Sequence, residues 1–381
     1  MDFDYSDEQR QLKDGVERFV RERYQFDQWK KIAASESGMS EENWRQMAEL
    51  GWLAVSLPEA HGGLGGGAVE TMIIMEGFGR GLVLEPYLST VILGATLLAR
   101  GAPEALQAEL LPKIGEGRLK LALAIAEHQG RYNFADVALS ARAEGSGYVL
   151  AGQKCVVLDA PQADKIIVSA RTGGGAREAQ GISLFLVDRA ARGLHLRAYR
   201  TLDRRRAADL AFDNVRVDAA SLIGGRDRGH GLLSEAIDHG IAAVAAEAVG
   251  AMQCLHDATN DYLKTRKQFG VPIGSFQVLQ HRMVDMHIAL EQARSLALMV
   301  NMKLDGPAGE RARAAAAAKV QIGQSARFVG QQAVQLHGGM GMTDELTVGH
   351  YKKRLMMIDV LFGNAEHHRR RFAEMEGAEA A

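Results

Sequence analysis

Between Ile241 and Met252 the chain reads IAAVAAEAVGAM, a helix-length apolar run whose one ionisable residue is Glu247. A carboxylate set among Ala, Val and Met is costly to bury unless it meets a cationic partner or has its pKa raised far enough to keep a proton. The second outcome makes Glu247 a candidate general base at an acidic carbon. The first makes it half of an ion pair inside a helical bundle. The residues alone leave both open.

The run ends in a polar turn. In Tyr262-Leu-Lys-Thr-Arg266-Lys-Gln-Phe269-Gly270-Val-Pro272-Ile-Gly-Ser-Phe276-Gln277, Gly270 and Pro272 break one helix. A second resumes with Phe276, Met283, Met286 and Leu290 on its apolar period. An Arg followed by an amide and an aromatic ring at a helix end suits a diphosphate. The guanidinium forks onto phosphate oxygens and Phe269 covers a flat group. A charged helix-loop-helix turn is the plainer reading of the same residues.

Periodicity divides the 381 residues into three parts. Residues 1–118 carry a 3.6-residue period, as in Glu8 to Arg23 and Ser40 to Leu50, and form an N-terminal helical domain. Residues 119–226 change to short β-rich runs such as Cys155-Val-Val-Leu158, Lys165-Ile-Ile-Val-Ser and Ile182-Ser-Leu-Phe-Leu-Val187, which predict a small barrel or sandwich. Residues 227–381 return to long helical segments and predict a four-helix bundle. The class is α+β, mainly α. Thr172-Gly-Gly-Gly-Ala reads as a mobile connection between strands, and Arg204-Arg205-Arg206 as a solvated turn or a contact to an anionic substrate.

A formal net charge of −2 argues against nucleic acid as a partner. Cys155 and Cys254 have no CxxC or zinc spacing, so a reducing cytoplasm is the simplest compartment. No stretch approaches a membrane span. The adjacent pairs Asp238-His239 and His367-His368 lack ligand spacing, and no metal is expected. Neither GxGxxG between strand and helix nor GxxxxGK[ST] occurs, so a dinucleotide would have to be held by other means.

Two stretches are specific over about a dozen residues each. TRKQFGVPIGSFQ (265–277) and Gln335-Leu-His-Gly-Gly339-Met-Gly-Met-Thr-Asp-Glu345, about seventy residues later, resemble the signatures of the acyl-CoA dehydrogenase family. Leu57-Pro-Glu-Ala-His-Gly-Gly63-Leu-Gly and Glu76-Gly-Phe-Gly-Arg80 with Glu85-Pro-Tyr87 extend the resemblance to nearly the whole chain. Within the family, Arg131-Tyr132, Ala246-Glu247-Ala248-Val249-Gly250 and Leu361-Phe362-Gly363 resemble patterns of the small subunit of pimeloyl-CoA dehydrogenase.

The resemblance implies FAD, extended between the β domain and the C-terminal bundle, with its diphosphate and adenine reaching a neighbouring subunit of a homo- or heterotetramer. Carried over by motif, Arg266 meets the diphosphate, and Phe269 and Gln277 line the adenosine end. Gln335, Leu336, His337, Gly338 and Gly339 bring backbone close to the cofactor, since a residue without Cβ permits close approach. A left-handed helix cap at Gly338 is the alternative. Ala126, Val157 and Asn364 are the flavin-side candidates. Here Ala126-Glu127-His128 stands where the family has Thr-Glu-Pro, and Val156-Val157-Leu158 where it has the flavin-stacking Trp-Ile-Thr.

The implied reaction is oxidation of an acyl-CoA to the trans-2-enoyl-CoA, with electrons passed to an electron-transferring flavoprotein. A base removes a Cα proton while hydride leaves Cβ, and hydrogen-bond donors polarise the thioester carbonyl. Both usual base positions lack a carboxylate: Phe362 fills one, before Gly363, and Gly240 the other. Glu247, two helical turns beyond Gly240 on the same face, is the candidate for a relocated base; Asp359 is held in reserve. A pimeloyl-CoA, other dicarboxylyl, bulky or medium-chain substrate is the leading expectation. A partner subunit completing a shared site and a flavin oxidase or monooxygenase on the same fold are the alternatives.

Overall fold

The computed structural model describes residues 4–380. Capping sets the first helices. Ser6 and Gln9 form a reciprocal capping box at the start of α1 (Asp7–Arg23), α2 follows over Phe26–Ala34, and the Ser40 hydroxyl accepts from Asn43 N–H to open α3 (Glu41–Glu49). Then come α4 (Ala68–Gly81), a π-helical stretch over Leu88–Gly94, α5 (Ala95–Gly101) and α6 (Glu104–Gly115).

Strands occupy the middle of the chain: β1 (Leu121–Ala124), β2 (Ser140–Glu144), β3 (Gly147–Leu158), β4 (Lys165–Arg171), β5 (Ile182–Asp188), β6 (Leu194–Arg200), β7 (Arg206–Asp218) and β8 (Leu222–Ile223). They form one sheet in the order β6-β7-β3-β2-β4-β5-β8, with β1 parallel to β4 off that path. A single apolar cluster takes Ala122, Ala141, Leu150, Ile166, Phe185, Leu194 and Leu210 from seven of these strands, so the sheet wraps around its own core. Residues 182–187 of β5 are all buried, whereas β6 has most of its residues at the surface, as an edge strand allows.

The helical period resumes in α7 (Gly229–Thr265, 37 residues). A minimal hairpin of β9 (Lys267–Gln268) and β10 (Val271–Pro272) follows. Next come α8 (Gln277–Met302), α9 (Ala308–His337), α10 (Thr347–Val360) and α11 (Ala365–Ala380), which adds a fifth helix to the expected four. Among the described residues no helix is long and apolar enough to cross a membrane.

By packing the chain forms two compact units. One comprises the residues up to Lys30, Ala68–Val83 and Ile241 onward; the other comprises Lys31–Gly67 and Leu84–Gly240. In the first, α4 and α7 touch backbone to backbone. A Cβ on Gly79 would lie 1.9 Å from the Glu247 carbonyl oxygen, and one on Gly250 would lie 1.9 Å from that of Glu76. In the second, Arg206 is buried, and its guanidinium donates to the carbonyls of Ala33, Ser35 and Glu36. The Arg204–Arg206 cluster is therefore not the solvated turn its charge suggests, because Arg206 is buried and braces the main chain at the end of α2. Arg171 braces the Thr172–Ala176 loop in the same way, donating to the carbonyls of Ala135, Ala176, Glu178 and Gln180.

Candidate active site

Glu247 lies inside the first unit, 1% exposed, and meets a cation. Arg354 of α10 donates from Nε to Oε1 at 2.7 Å and from Nη2 to Oε2 at 2.6 Å. Arg354 is itself 4% exposed. The bidentate geometry gives the carboxylate strong charge-assisted bonds. Of the two fates open to a carboxylate in that apolar run, the structure has the cationic partner.

The signature after α7 is a two-residue hairpin. Phe269 (φ +53°) and Gly270 (φ +83°) are its central pair, both left-handed as a tight turn between twisted strands requires. Phe269 is 91% exposed, its ring edge-on to Phe276 at 6.0 Å. Arg266 is exposed, its N–H bonded to the Tyr262 carbonyl at the helix end. Gln277, also exposed, is the first residue of α8.

The second signature is the C-terminus of α9. Gly338, at φ +59° and ψ −140°, caps the helix in a conformation that glycine adopts without strain. The backbone of Gly338 and Gly339 is open, with no atom within 4 Å of where a Cβ would stand. Gln335 is exposed beside them, whereas Leu336 and His337 turn inward, at 6% and 5% exposure. The His337 ring stacks on Tyr262 with centroids 4.4 Å apart. This stack holds the ends of α7 and α9 side by side, so the exposed Arg266 guanidinium and the open glycine backbone belong to one surface. Leu336 and His337 therefore present no side chain to a ligand there, because the last helical turn points them into the bundle.

In the second unit, half-buried Ala126 follows β1, and its carbonyl accepts from Cys155 N–H at 2.9 Å. Beneath it Lys154, 0% exposed, donates to Glu127 Oε1 at 2.7 Å and to the Ser169 hydroxyl at 2.9 Å. Burial works to raise the Glu127 carboxyl, but the Lys154 charge and hydrogen bonds from Lys154, Gln129 and Ala138 hold it below its usual value. Burial also pushes the Lys154 amine down to about 8, against the pull of Glu127. Val157 belongs to the core of the sheet at 1% exposure, while Val156 is 49% exposed. A bulge in β3 turns Val156 outward and Val157 in, so what Val157 can offer a cofactor is backbone, not side chain.

The loop after α10 carries Phe362 at φ +59° and Gly363 at φ +108°. Four polar side chains fix it. Lys319, buried in α9, donates to the carbonyls of Ile358 (2.6 Å) and Asp359 (3.1 Å). His368 Nε2–H donates to the Phe362 carbonyl at 2.9 Å. The Asp359 carboxylate accepts from Ala365 N–H at 3.3 Å and from Arg327 at 3.4 Å. Asn364 caps α11 by accepting from His367 N–H at 2.9 Å. Burial pushes Lys319 down to about 7 and His368 down to about 3. Sequence reasoning named Asp359, Phe362, Asn364 and the His367-His368 pair but missed Lys319, although it is the one charge between Ala314 and Ala326, a signal of the same kind as Glu247.

These residues fit FAD by chemistry. The exposed guanidinium of Arg266 and the open backbone at Gly338 and Gly339 suit phosphate oxygens, exposed Phe269 suits a flat ring, and the Ala126 peptide suits a ring heteroatom.

Three domain descriptions of one family match in chain order: acyl-CoA dehydrogenase N-terminal domain over residues 6–118, middle domain over 122–215 and C-terminal domain over 227–376. The chain is 30% identical to the mitochondrial short-chain specific acyl-CoA dehydrogenase of Homo sapiens over 84% of its own length and 79% of the relative's. Among solved structures it is similar to a glutaryl-coenzyme A dehydrogenase in complex with glutaryl-CoA, with 26% identity, TM-score 0.92 and coverage of 99% and 97%. The ChsE4-ChsE5 complex of Mycobacterium tuberculosis gives 26% identity, TM-score 0.89 and coverage of 99% of each chain. With matched domains along almost its entire length and a fold shared with these enzymes, the chain belongs to the acyl-CoA dehydrogenase family of FAD-dependent oxidoreductases acting on CH–CH bonds.

Proposed function

We propose that this chain is a subunit of an acyl-CoA dehydrogenase forming trans-2-enoyl-CoA, and that it completes the flavin site of a second, base-carrying subunit instead of supplying the base. The carrying observation is the buried bidentate pair of Glu247 and Arg354. A general base must reach the proton it takes, and both Glu247 oxygens are committed to a guanidinium away from solvent. Phe362 and Gly240 stand at the positions the family gives to a base, and Asp359 is engaged by Ala365 and Arg327. The likeness to the two-component ChsE4-ChsE5 complex is in keeping with a heteromer.

Bound FAD supplies the two-electron oxidation of the substrate. This chain's residues bind and orient: Arg266 neutralises the diphosphate, Gln335, Gly338 and Gly339 present polar and backbone groups, and Phe269 and Gln277 cover the adenosine end. Ala126 N–H and Asn364 are the flavin-side contacts. A dicarboxylyl substrate such as pimeloyl-CoA, or another bulky or medium-chain acyl-CoA, fits the resemblance best, with an electron-transferring flavoprotein as acceptor.

The test is an anaerobic titration of the purified chain, loaded with FAD, against acyl-CoAs including pimeloyl-CoA. Bound flavin that no substrate bleaches is the expected result, with slow bleaching gained by Phe362→Glu. Bleaching by the unaltered chain that disappears in Glu247→Gln, with FAD retained, would return the base to Glu247 and make the chain self-sufficient. Peroxide or hydroxylated product under air would assign it to an oxidase or monooxygenase instead.

A further inference from the structure

The β3 bulge is strained at its tip and held by a carboxylate that no other part of the site uses. Along the β3–β7 ladder Lys154 pairs with Leu210 and Val157 with Ala208, so Cys155 and Val156 together face the single residue Asp209. Val156 has φ +51°, a left-handed backbone that a β-branched residue rarely adopts. Its N–H is not left open. Asp209 Oδ1 accepts it at 3.1 Å and also accepts the Tyr199 hydroxyl at 3.0 Å, while Oδ2 accepts from Arg197 Nη2 at 2.9 Å. Arg197 is the residue directly opposite Asp209 on β6, and Tyr199 is its diagonal neighbour.

The arrangement reaches further than the bulge. The other bulge residue, Cys155, donates its N–H to the Ala126 carbonyl, and the residue before it, Lys154, holds Glu127. The peptide that follows Ala126 and the Glu127 side chain are thereby tied to the segment that Asp209 secures. Burial works to raise the Asp209 carboxyl, but the Val156 N–H, Arg197 and Tyr199 outweigh it and keep the group ionised.

We propose that Asp209 is a positioning residue of the flavin site: its carboxylate, held by Arg197 and Tyr199, latches the Cys155–Val156 bulge and thereby sets the exposed Val156 face and the Ala126 peptide against the flavin ring. The proposal rests on the FAD reading above. Latching matters here because a valine in the left-handed region does not hold itself there. A glycine would.

The experiment compares FAD-loaded wild type, Asp209→Ala, Asp209→Asn and the double variant Asp209→Ala/Val156→Gly for FAD affinity, visible flavin spectrum and reduction potential, with thermal unfolding alongside. Asp209→Ala should shift and broaden the flavin bands and raise the FAD dissociation constant about tenfold, the loss of roughly one charge-assisted hydrogen bond. Asp209→Asn, whose amide oxygen can still accept the Val156 N–H, should keep most of the wild-type spectrum. The double variant should recover part of it, since glycine adopts the left-handed backbone without strain although the valine face is gone. A merely structural Asp209 would lower the melting temperature and leave spectrum and potential untouched, and that result overturns the proposal. Wild type that takes up no FAD overturns the FAD reading itself and the proposal with it; wild-type uptake with an unchanged Asp209→Ala spectrum removes the proposal alone.

Discussion

Glu247 and Arg354, 107 residues apart in the chain, form a two-bond ion pair with side chains 1% and 4% exposed. Beside it α4 and α7 approach without intervening side chains, through Gly79 and Gly250. The pair therefore sits away from water, beside a close helix contact, where loss of one partner leaves a buried charge uncompensated.

Removing one partner alone should cost about 3–5 kcal/mol, the penalty of an uncompensated buried charge. Glu247→Gln and Arg354→Met are each expected to lose that much in urea unfolding, and the double variant Glu247→Gln/Arg354→Met should recover most of it. A Glu247→Gln protein of unchanged stability would show that the carboxylate is not held by the guanidinium in solution.

Gly79→Ala should separate α4 from α7, since its Cβ would stand 1.9 Å from a carbonyl oxygen. A loss of about 1–3 kcal/mol is expected from overpacking of this kind. Gly15→Ala, within α1 where no atom lies within 4 Å of the new Cβ, is the control. It should stabilise by ~0.5–1 kcal/mol, as replacing a helix-interior glycine does. Equal thermal shifts in the two variants would refute the close-contact argument.

Acid stability should depend on His368. Its imidazole is pushed down to about 3 by burial, while the unfolded chain takes up the same proton near 6.5. Between those values the unfolded state binds more protons, so the His368 contribution is intact above about pH 6.5 and is lost as pH falls toward 3, at up to ~1.4 kcal/mol per pH unit. His368→Gln should flatten that limb in a series of unfolding curves. An unaltered slope would mean that His368 is protonated in the folded protein.

Arg266→Ala should weaken FAD retention by about tenfold or more, the worth of a charge-assisted hydrogen bond, at unchanged fold stability. Its side chain is exposed, with no side-chain hydrogen bond or ion pair among the described residues, so the ligand feels the loss. Flavin absorbance carried through gel filtration reads the effect, and full occupancy in the variant would remove the diphosphate role.

The parts of this protein that were legible in its residues are those governed by near neighbours. The 3.6-residue period and its interruption place α7, α8 and α9, because helical amphipathicity and Gly–Pro breaks act within a turn or two. The change to β-rich runs places the middle strands for the same reason. The two signature stretches fall at the ends of α7 and α9, and the resemblance they carry leads to the family.

Tertiary structure alone decided what each candidate side chain can do. The apolar run left Glu247 open to two fates, and the choice lay with Arg354, a residue far away in sequence inside the otherwise ordinary polar stretch Tyr351-Lys-Lys-Arg354. Leu336 and His337 share a motif with Gly338 and Gly339, yet the helix end turns the first two inward and leaves the glycines open. One extra residue in β3 exchanges Val156 for Val157 at the surface, and its anchor is Asp209, on a strand 53 residues beyond Val156. Local propensity sets where elements begin and end, but the partner of a buried charge and the face a strand residue presents depend on contacts between distant segments, and those exist only once the chain has packed.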